Sequence, residues 1–367
     1  MTSQKNATIT YTKAVGIILM VLGHSGCSVP FVVPFIYMFH MPLFFFASGY
    51  CFKPQYLESP FAFLWKRIKR IYWPFVKWGV FFVIIHNLLF RLNILNDQYG
   101  FMGKVAHLYS VEEIKHIVWM MLTRMHNTEQ LIGGFWFLNA LFFGSIISWG
   151  VLKLFRNITL SVAVLFAACL ILNHTHYIIP HLNLSTQAFA ASFVFVSGYW
   201  ACQHKIRIFK GWQIILVAAL TFCGSFMYQI NFGEWFYDNS LFVPYIVTSV
   251  FATWGVYSLF AYYKGKTNRP FLLLNHIGNH TIQILTWHFL SFKLVSLLII
   301  GLYDLPFKRI AEVPVITEYA IRGWWILYFI IGLAVPLLGI YITRNTINYS
   351  KKIILCDRQR AKATSNC

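Results

Sequence analysis

Uncharged apolar runs of roughly 15 to 25 residues recur along the whole chain, separated by short clusters of basic and polar positions. A helix needs about 20 such residues to cross the hydrocarbon core of a bilayer. The pattern gives ten candidate spans: 7–27, 30–52, 71–92, 134–152, 158–173, 187–203, 212–230, 241–263, 276–301 and 323–343. None alternates apolar and polar positions as barrel strands do, and lipid tolerates only helices or closed barrels. The expected fold is therefore all-α: a polytopic integral membrane helix bundle of about 10 transmembrane helices. It forms a single transmembrane domain over 1–345, followed by a basic tail over 346–367. The first run begins near Ala7, carries Lys13, and leads into the second without a small-residue cleavage site, so it is expected to be a retained helix.

The intervening segments carry a second pattern. In the longest loop, 93–133, Val111, Ile114, Ile117, Val118, Met121, Leu122 and Met125 repeat at helical spacing opposite Glu112, Glu113, Lys115 and Arg124. This predicts an interfacial helix lying flat on the membrane. The segment 303–322, with Pro306 and Pro314, is long enough to hold a lid. One internal echo joins Phe45-Phe46-Ala47-Ser48-Gly49-Tyr50 to Phe195-Val196-Ser197-Gly198-Tyr199.

Composition agrees with the membrane reading: 58% of the 367 residues are hydrophobic and 11% charged, with a mean hydropathy of +0.60. The formal net charge of +19 would suit a nucleic-acid partner only if the basic residues formed one water-facing surface. Instead most of the 30 lysines and arginines sit between spans on the side that also holds both termini, and most of the 11 acids lie on the other. That asymmetry places both termini in the cytoplasm and implies a lipid bilayer as partner and no nucleic acid. The seven cysteines are scattered without a CxxC pair, so neither a disulfide framework nor a zinc site is expected.

Ionisable residues at membrane depth are costly and mark functional sites. Here they are Lys13, His24, His40, His86, His280, His288 and Lys293. None is a carboxylate, which argues against ion-coupled transport. Lys13 and His24 are separated by three turns of helix, which puts them within about 20° on one face and roughly 16 Å apart along the axis. His24 lies in GHSG, where small neighbours let another backbone or a ligand approach; a neutral imidazole there suits a general base, and a packing histidine is the plain alternative. His40 opens HMPLFFFASGY, and Pro42 beside it permits a kink. His276, His280 and His288 are compatible with one helical face, but no carboxylate or cysteine completes a ligand set, so no metal is predicted. His174, His176 and His181 fall in an outer loop. Lys66, Arg67, Lys69 and Arg70 suit either topology anchoring or a phosphate clamp.

These residues resemble acyltransferase family 3, the membrane-bound O-acyltransferases, and in particular its fucose 4-O-acetylase-like bacterial group. The resemblance is carried by Lys13 to His24 in KAVGIILMVLGH, by FHMPLFFFASGY from Phe39 to Tyr50, and by KRIKRIYWP with Arg67 and Arg70 ahead of Pro74. FWFLNALF around Trp136 and Asn139, together with GNHTIQILTWH ending at His288, completes it. It departs from the family at Lys13, where many members have Arg, and at Thr10, where they have Asp. The resemblance implies an acyl-CoA donor, usually acetyl-CoA, and transfer to a hydroxyl of a sugar or cell-surface glycan in a bacterial inner membrane. On that reading Lys13, Arg67 and Arg70 bind the donor, with its pantetheine arm running along the first helix. His24 acts as base or as acyl-carrying nucleophile. Asn139 is a candidate oxyanion donor, and His40 and His288 are candidates for donor or orienting roles. A polytopic transporter or flippase of glycolipids is the alternative; it would need no acyl-CoA.

Overall fold

The computed structural model describes residues 6–101, 103–175, 186–228, 239–264 and 268–364. Helix dominates, and among the described residues the strands are one short antiparallel pair, β1 (Gly100–Phe101) and β2 (Lys104–Val105), with Gly100 opposite Val105. In chain order the helices are α1 (Ala7–His24), α2 (Val32–Tyr37), α3 (Pro42–Tyr50), α4 (Pro60–Arg67), α5 (Trp73–Arg91), α6 (Val111–Arg124), α7 (Trp136–Phe155) and α8 (Ile158–Thr175). They continue as α9 (Thr186–Gln203), α10 (Gly211–Tyr228), α11 (Asn239–Ala261), α12 (Arg269–Asn279), α13 (Thr281–Tyr303), α14 (Thr317–Tyr319) and α15 (Trp325–Thr364). A helix lies at each of the ten predicted spans. Among the described residues, 8 helical segments are long and apolar enough to cross a membrane, and Gly211–Met227 is a shorter apolar helix. The protein is an all-α polytopic membrane protein.

Prolines explain where the spans depart from simple rods. The span 30–52 is two helices: α2 ends at Tyr37, and α3 starts at Pro42 after a turn that contains His40. Further on, the basic cluster predicted to lie at the mouth of a span beginning near residue 71 is itself helical. α4 runs into α5 through a π-helical turn, Ile68–Tyr72, in which the Trp73 N–H bonds back to the Ile68 carbonyl. Pro74 has no N–H to offer the carbonyl four residues earlier, and the widened turn absorbs that mismatch without ending the helix. α15 passes through Pro336 and continues unbroken across residue 346, where the sequence turns basic and polar.

The bundle is held by close backbone crossings at small residues, the means by which membrane helices associate. α3 and α9 make the most extensive pairing, and it is reciprocal. A Cβ on Gly49 would stand 1.8 Å from the Phe195 carbonyl oxygen, and one on Gly198 would stand 2.3 Å from that of Phe46. The sequence echo is thus a single symmetric crossing in which each glycine admits the other helix's phenylalanine backbone. α12 crosses α1 in the same way, where a Cβ on Gly278 would lie 2.1 Å from the carbonyl oxygen of Thr10.

Two of the segments between spans pack back onto the helices. The amphipathic helix predicted in loop 93–133 forms as α6, with a Ser110/Glu113 capping box at its start, but it does not lie flat across the bundle: it runs along α5, with the Asn87 amide donating to the Tyr109 carbonyl at one end and the Tyr72 hydroxyl donating to the Leu122 carbonyl at the other. Hydrogen bonds from the Ser110 backbone, from His107 and from the Ser110 side chain hold the Glu113 carboxyl down at about 2. Met121 is buried against α5 while Val111 and Trp119 stay exposed. The segment 304–322 is tied down along its length. Buried Lys293 donates to the carbonyls of Ile310 and Glu312 at 2.8 and 2.7 Å. Asn96 donates to the Lys308 carbonyl at 2.8 Å, and the Ile316 N–H donates to the Tyr328 hydroxyl at 3.2 Å. Val315 and Ala320 press on Gly26, just past His24, where φ is +75° and space for a Cβ is missing.

Candidate functional site

His24 ends α1, and the structure brings it to His288 in the first half of α13. His24 Nδ1 and His288 Nε2 are 3.0 Å apart. His288 is fully buried, and its Nδ1 faces the carbonyl oxygens of Leu285 at 2.9 Å and Ile284 at 3.2 Å. The His24 ring is half-buried and also stacks on Phe289, with centroids 5.0 Å apart and planes 23° from parallel. Its orientation is therefore fixed by an edge contact on one side and a ring face on the other.

His40 occupies the turn between α2 and α3 and is buried. Its Nδ1–H donates to the Ile36 carbonyl at 3.1 Å, and its ring stacks on Tyr37 at 5.1 Å. Tyr37 reaches back to α1, where its hydroxyl donates to the Gly23 carbonyl at 3.2 Å. A Cβ on Gly23 would meet this ring at 2.6 Å, so the first glycine of GHSG is what lets Tyr37 join His40 to the residue before His24.

Between Lys13 and His24, the same face of α1 presents Ile17 and Met20. These two, with Met41, Phe44, Phe137 and Leu285, line a narrow apolar cleft against α3, α7 and α13. Ile17 and Met20 lie roughly 10 and 6 Å below His24 along the helix axis. The cleft leads from the middle of α1 to the turn of α13 that carries His288.

At the opposite end of the bundle the cations gather. Lys13, Lys66, Arg67 and Arg70 all lie close enough for their positive charge to bear on Cys51, which is exposed just past α3. Arg67 is built into the α3–α9 crossing. Its Nη1 donates to Ser48 Oγ at 2.8 Å, and its guanidinium lies over the rings of Phe63 and Phe195 at 4.9 and 5.3 Å. Its Nε is buried without a hydrogen-bond partner. Lys66 donates to the Tyr56 hydroxyl at 2.8 Å, and Arg70 is exposed. Among the described residues, no carboxylate pairs with Lys66, Arg67 or Arg70. A donor N–H left over in a cluster of like charges fits an anionic group such as phosphate.

Other predicted residues lie apart from His24. The Asn139 side-chain NH2 is taken up by the carbonyls of Arg124 and Met125 at 3.0 and 3.2 Å, closing the end of α6. His276 and His280 are parted from His288 by a break in the helix at His280, where φ is −121° and ψ is 25°. No group of three metal-ligating residues occurs among the described residues. His174 is exposed at the end of α8, and His176 and His181 lie outside the described residues. The pairing of His86 with Glu129 was not legible in advance. Both carboxylate oxygens are 3.0 Å from Nδ1, Nε2 faces the His107 carbonyl at 3.0 Å, and Tyr109 stacks on the ring at 3.7 Å.

The family model described as an acyltransferase domain, that of acyltransferase family 3, matches residues 6–354. The chain belongs to this family. The match takes in the described spans and the cationic and His24 ends alike, so the protein is a membrane acyltransferase. No curated protein and no solved structure matches the chain. Thr10 lies three residues before Lys13 on α1. It is buried, and its backbone lies against Gly278.

Proposed function

We propose that the protein is an O-acetyltransferase that moves an acetyl group from acetyl-CoA to a hydroxyl of a sugar or cell-surface glycan. The observation that supports it is the single face of α1, which runs from the cations around Cys51 through Lys13, past the apolar cleft at Ile17 and Met20, to His24. The phosphates of the donor are read by Arg67 and Arg70 and its pantetheine arm follows this face from Lys13, so the charged part stays at the cytoplasmic side while the thioester reaches the interior. The fit at the cationic end rests on the unpartnered Arg67 Nε. His24 removes the proton from the acceptor hydroxyl as its oxygen attacks the thioester carbonyl. A C–O bond forms, the C–S bond breaks, and the proton is passed to the departing thiolate, leaving the O-acetyl product and CoA-SH. His40, held by Tyr37 and Ile36, lines the approach to the same end of α1.

The test is acetyl transfer in membranes or nanodiscs with acetyl-CoA and an extract of cell-surface glycan. Wild-type protein is expected to release CoA only when acceptor is present, and His24→Ala is expected to lose turnover by about 10²–10⁴-fold. Near-normal turnover by His24→Ala refutes the role of His24. Movement of glycan across the membrane without use of acetyl-CoA would favour a transporter.

A further inference from the structure

The paired rings allow the protonation of each nitrogen to be worked out from its neighbours, and the answer selects one atom. Backbone carbonyls only accept hydrogen bonds. The two carbonyls facing His288 Nδ1, those of Leu285 and Ile284, therefore require a proton on that nitrogen. A neutral imidazole carries one N–H, so His288 Nε2 holds a lone pair. The 3.0 Å contact to His24 Nδ1 is then a hydrogen bond that His24 donates. His24 in turn has its one proton on Nδ1 and its lone pair on Nε2.

We propose that His288 is a positioning residue that holds His24 in the Nδ1–H tautomer, making Nε2 the atom that takes the proton of the acceptor. The inference rests on the reading of His24 as the base. It supplies what the absence of an intramembrane carboxylate near His24 left open. In a serine-type triad a carboxylate orients the base and balances its positive charge. Here a second imidazole orients it, and the chain ends in peptide carbonyls. When His24 Nε2 is protonated, the imidazolium keeps its Nδ1–H on the neutral Nε2 of His288, whose own Nδ1–H stays on the two carbonyls. Charge is stabilised by aligned dipoles in a low-dielectric interior, and no second ionised group has to be buried. Phe289 holds the His24 ring plane, so that the direction of the Nε2 lone pair is set as well as its occupancy.

The experiment reads the tautomer and the turnover separately, using full-length protein in nanodiscs labelled with ¹⁵N-histidine. The His24 signals are identified by their loss in His24→Ala. In wild-type protein His24 is expected to show a protonated Nδ1 and an unprotonated Nε2. His288→Leu keeps apolar bulk but offers no acceptor, and is expected to move the proton of His24 to Nε2. It should lower kcat by roughly 10²-fold with KM for acetyl-CoA unchanged, since orientation of a base is felt in the transition state and not in donor binding. His288→Gln places an amide oxygen near the position of the lost Nε2; it should restore the wild-type tautomer and bring turnover back to within about tenfold of wild type. His288→Asn, too short to reach His24, should behave as the leucine variant does and serves in its place if that variant fails to fold. Retention of the Nδ1–H tautomer in His288→Leu or His288→Asn overturns the proposal, as does wild-type kcat in a variant whose tautomer has moved. Normal turnover by His24→Ala would instead overturn the base reading, and the tautomer measurement would stand apart from it.

Discussion

Gly49→Ala tests whether the crossing of α3 and α9 positions Arg67, the cation proposed to bind the donor. The added methyl would sit 1.8 Å from the Phe195 carbonyl oxygen, and real Cβ contacts essentially never fall below 3.0 Å. The two backbones must therefore separate by more than about 1 Å at this point. The obstructing atom is a helix carbonyl that cannot rotate aside, so the overpacking cost falls in the upper part of the range of about 1–3 kcal/mol. The helix-propensity gain of Gly to Ala, about 1 kcal/mol, offsets only part of it, and a net destabilisation of about 1–2 kcal/mol is expected. Arg67 rests on both sides of this crossing, on Ser48 of α3 and on the Phe195 ring of α9. Separation should therefore weaken CoA binding too, by about tenfold for each 1.4 kcal/mol of misplacement. Gly150→Ala is the control, because nothing lies within 4 Å of a Cβ there; it should gain about 0.5–1 kcal/mol. Thermal unfolding in detergent and calorimetric titration with CoA measure the two effects. If Gly49→Ala melts at or above the wild-type temperature while Gly150→Ala shows its expected gain, the crossing is looser than described. Unchanged CoA affinity in a destabilised Gly49→Ala would uncouple it from Arg67.

Two further outcomes follow from the same geometry. Arg67→Ala and Arg70→Ala should each weaken CoA binding by roughly 10- to 100-fold, the worth of a charge-assisted hydrogen bond of about 1.5–3 kcal/mol; equal affinity for CoA in wild type and both variants would return these residues to topology anchors. Lys293→Met leaves the carbonyls of Ile310 and Glu312 without their donor, at about 1–3 kcal/mol for a buried group, so amide exchange across 307–316 should speed up by roughly tenfold or more, and unchanged exchange would show that the other ties suffice.

How much of this was legible in the sequence depends on whether the signal was local. The spans follow from apolar run length, and the break at His40 follows from Pro42. Lys13 and His24 share a face because helical periodicity carries over three turns. α6 was readable because its apolar stripe is a short-range pattern, but its lie along α5 depends on contacts with Asn87 and Tyr72 that the stripe does not record. The π turn that keeps Lys66 to Arg70 helical was not readable, since the cluster looked like an ordinary span boundary. Asn139 was singled out by its motif, but its amide turns to the end of α6, a contact set by how two helices meet. His288 was named as a candidate, yet nothing in the chain pointed to His24 as its partner. The same holds for His86 with Glu129 and for Arg67 with Phe195: pairings between distant helices leave no periodic trace. The echo of Gly49 and Gly198 was visible as a repeat, but its reciprocity needed the helices side by side.

The partners His24 and His288 stand 264 positions apart, so the helix that carries the first is made well before the helix that carries the second. At synthesis rates of about 5–20 residues per second, α1 waits in the membrane for roughly ten seconds to a minute before α13 exists. During that interval the nascent protein has the histidine on α1 and much of the cleft, but no ring to orient it. On the proposed roles of the two rings, full turnover is thereby reserved for molecules whose synthesis has passed α13, and chains cut short before it would carry the base without the ring that orients it.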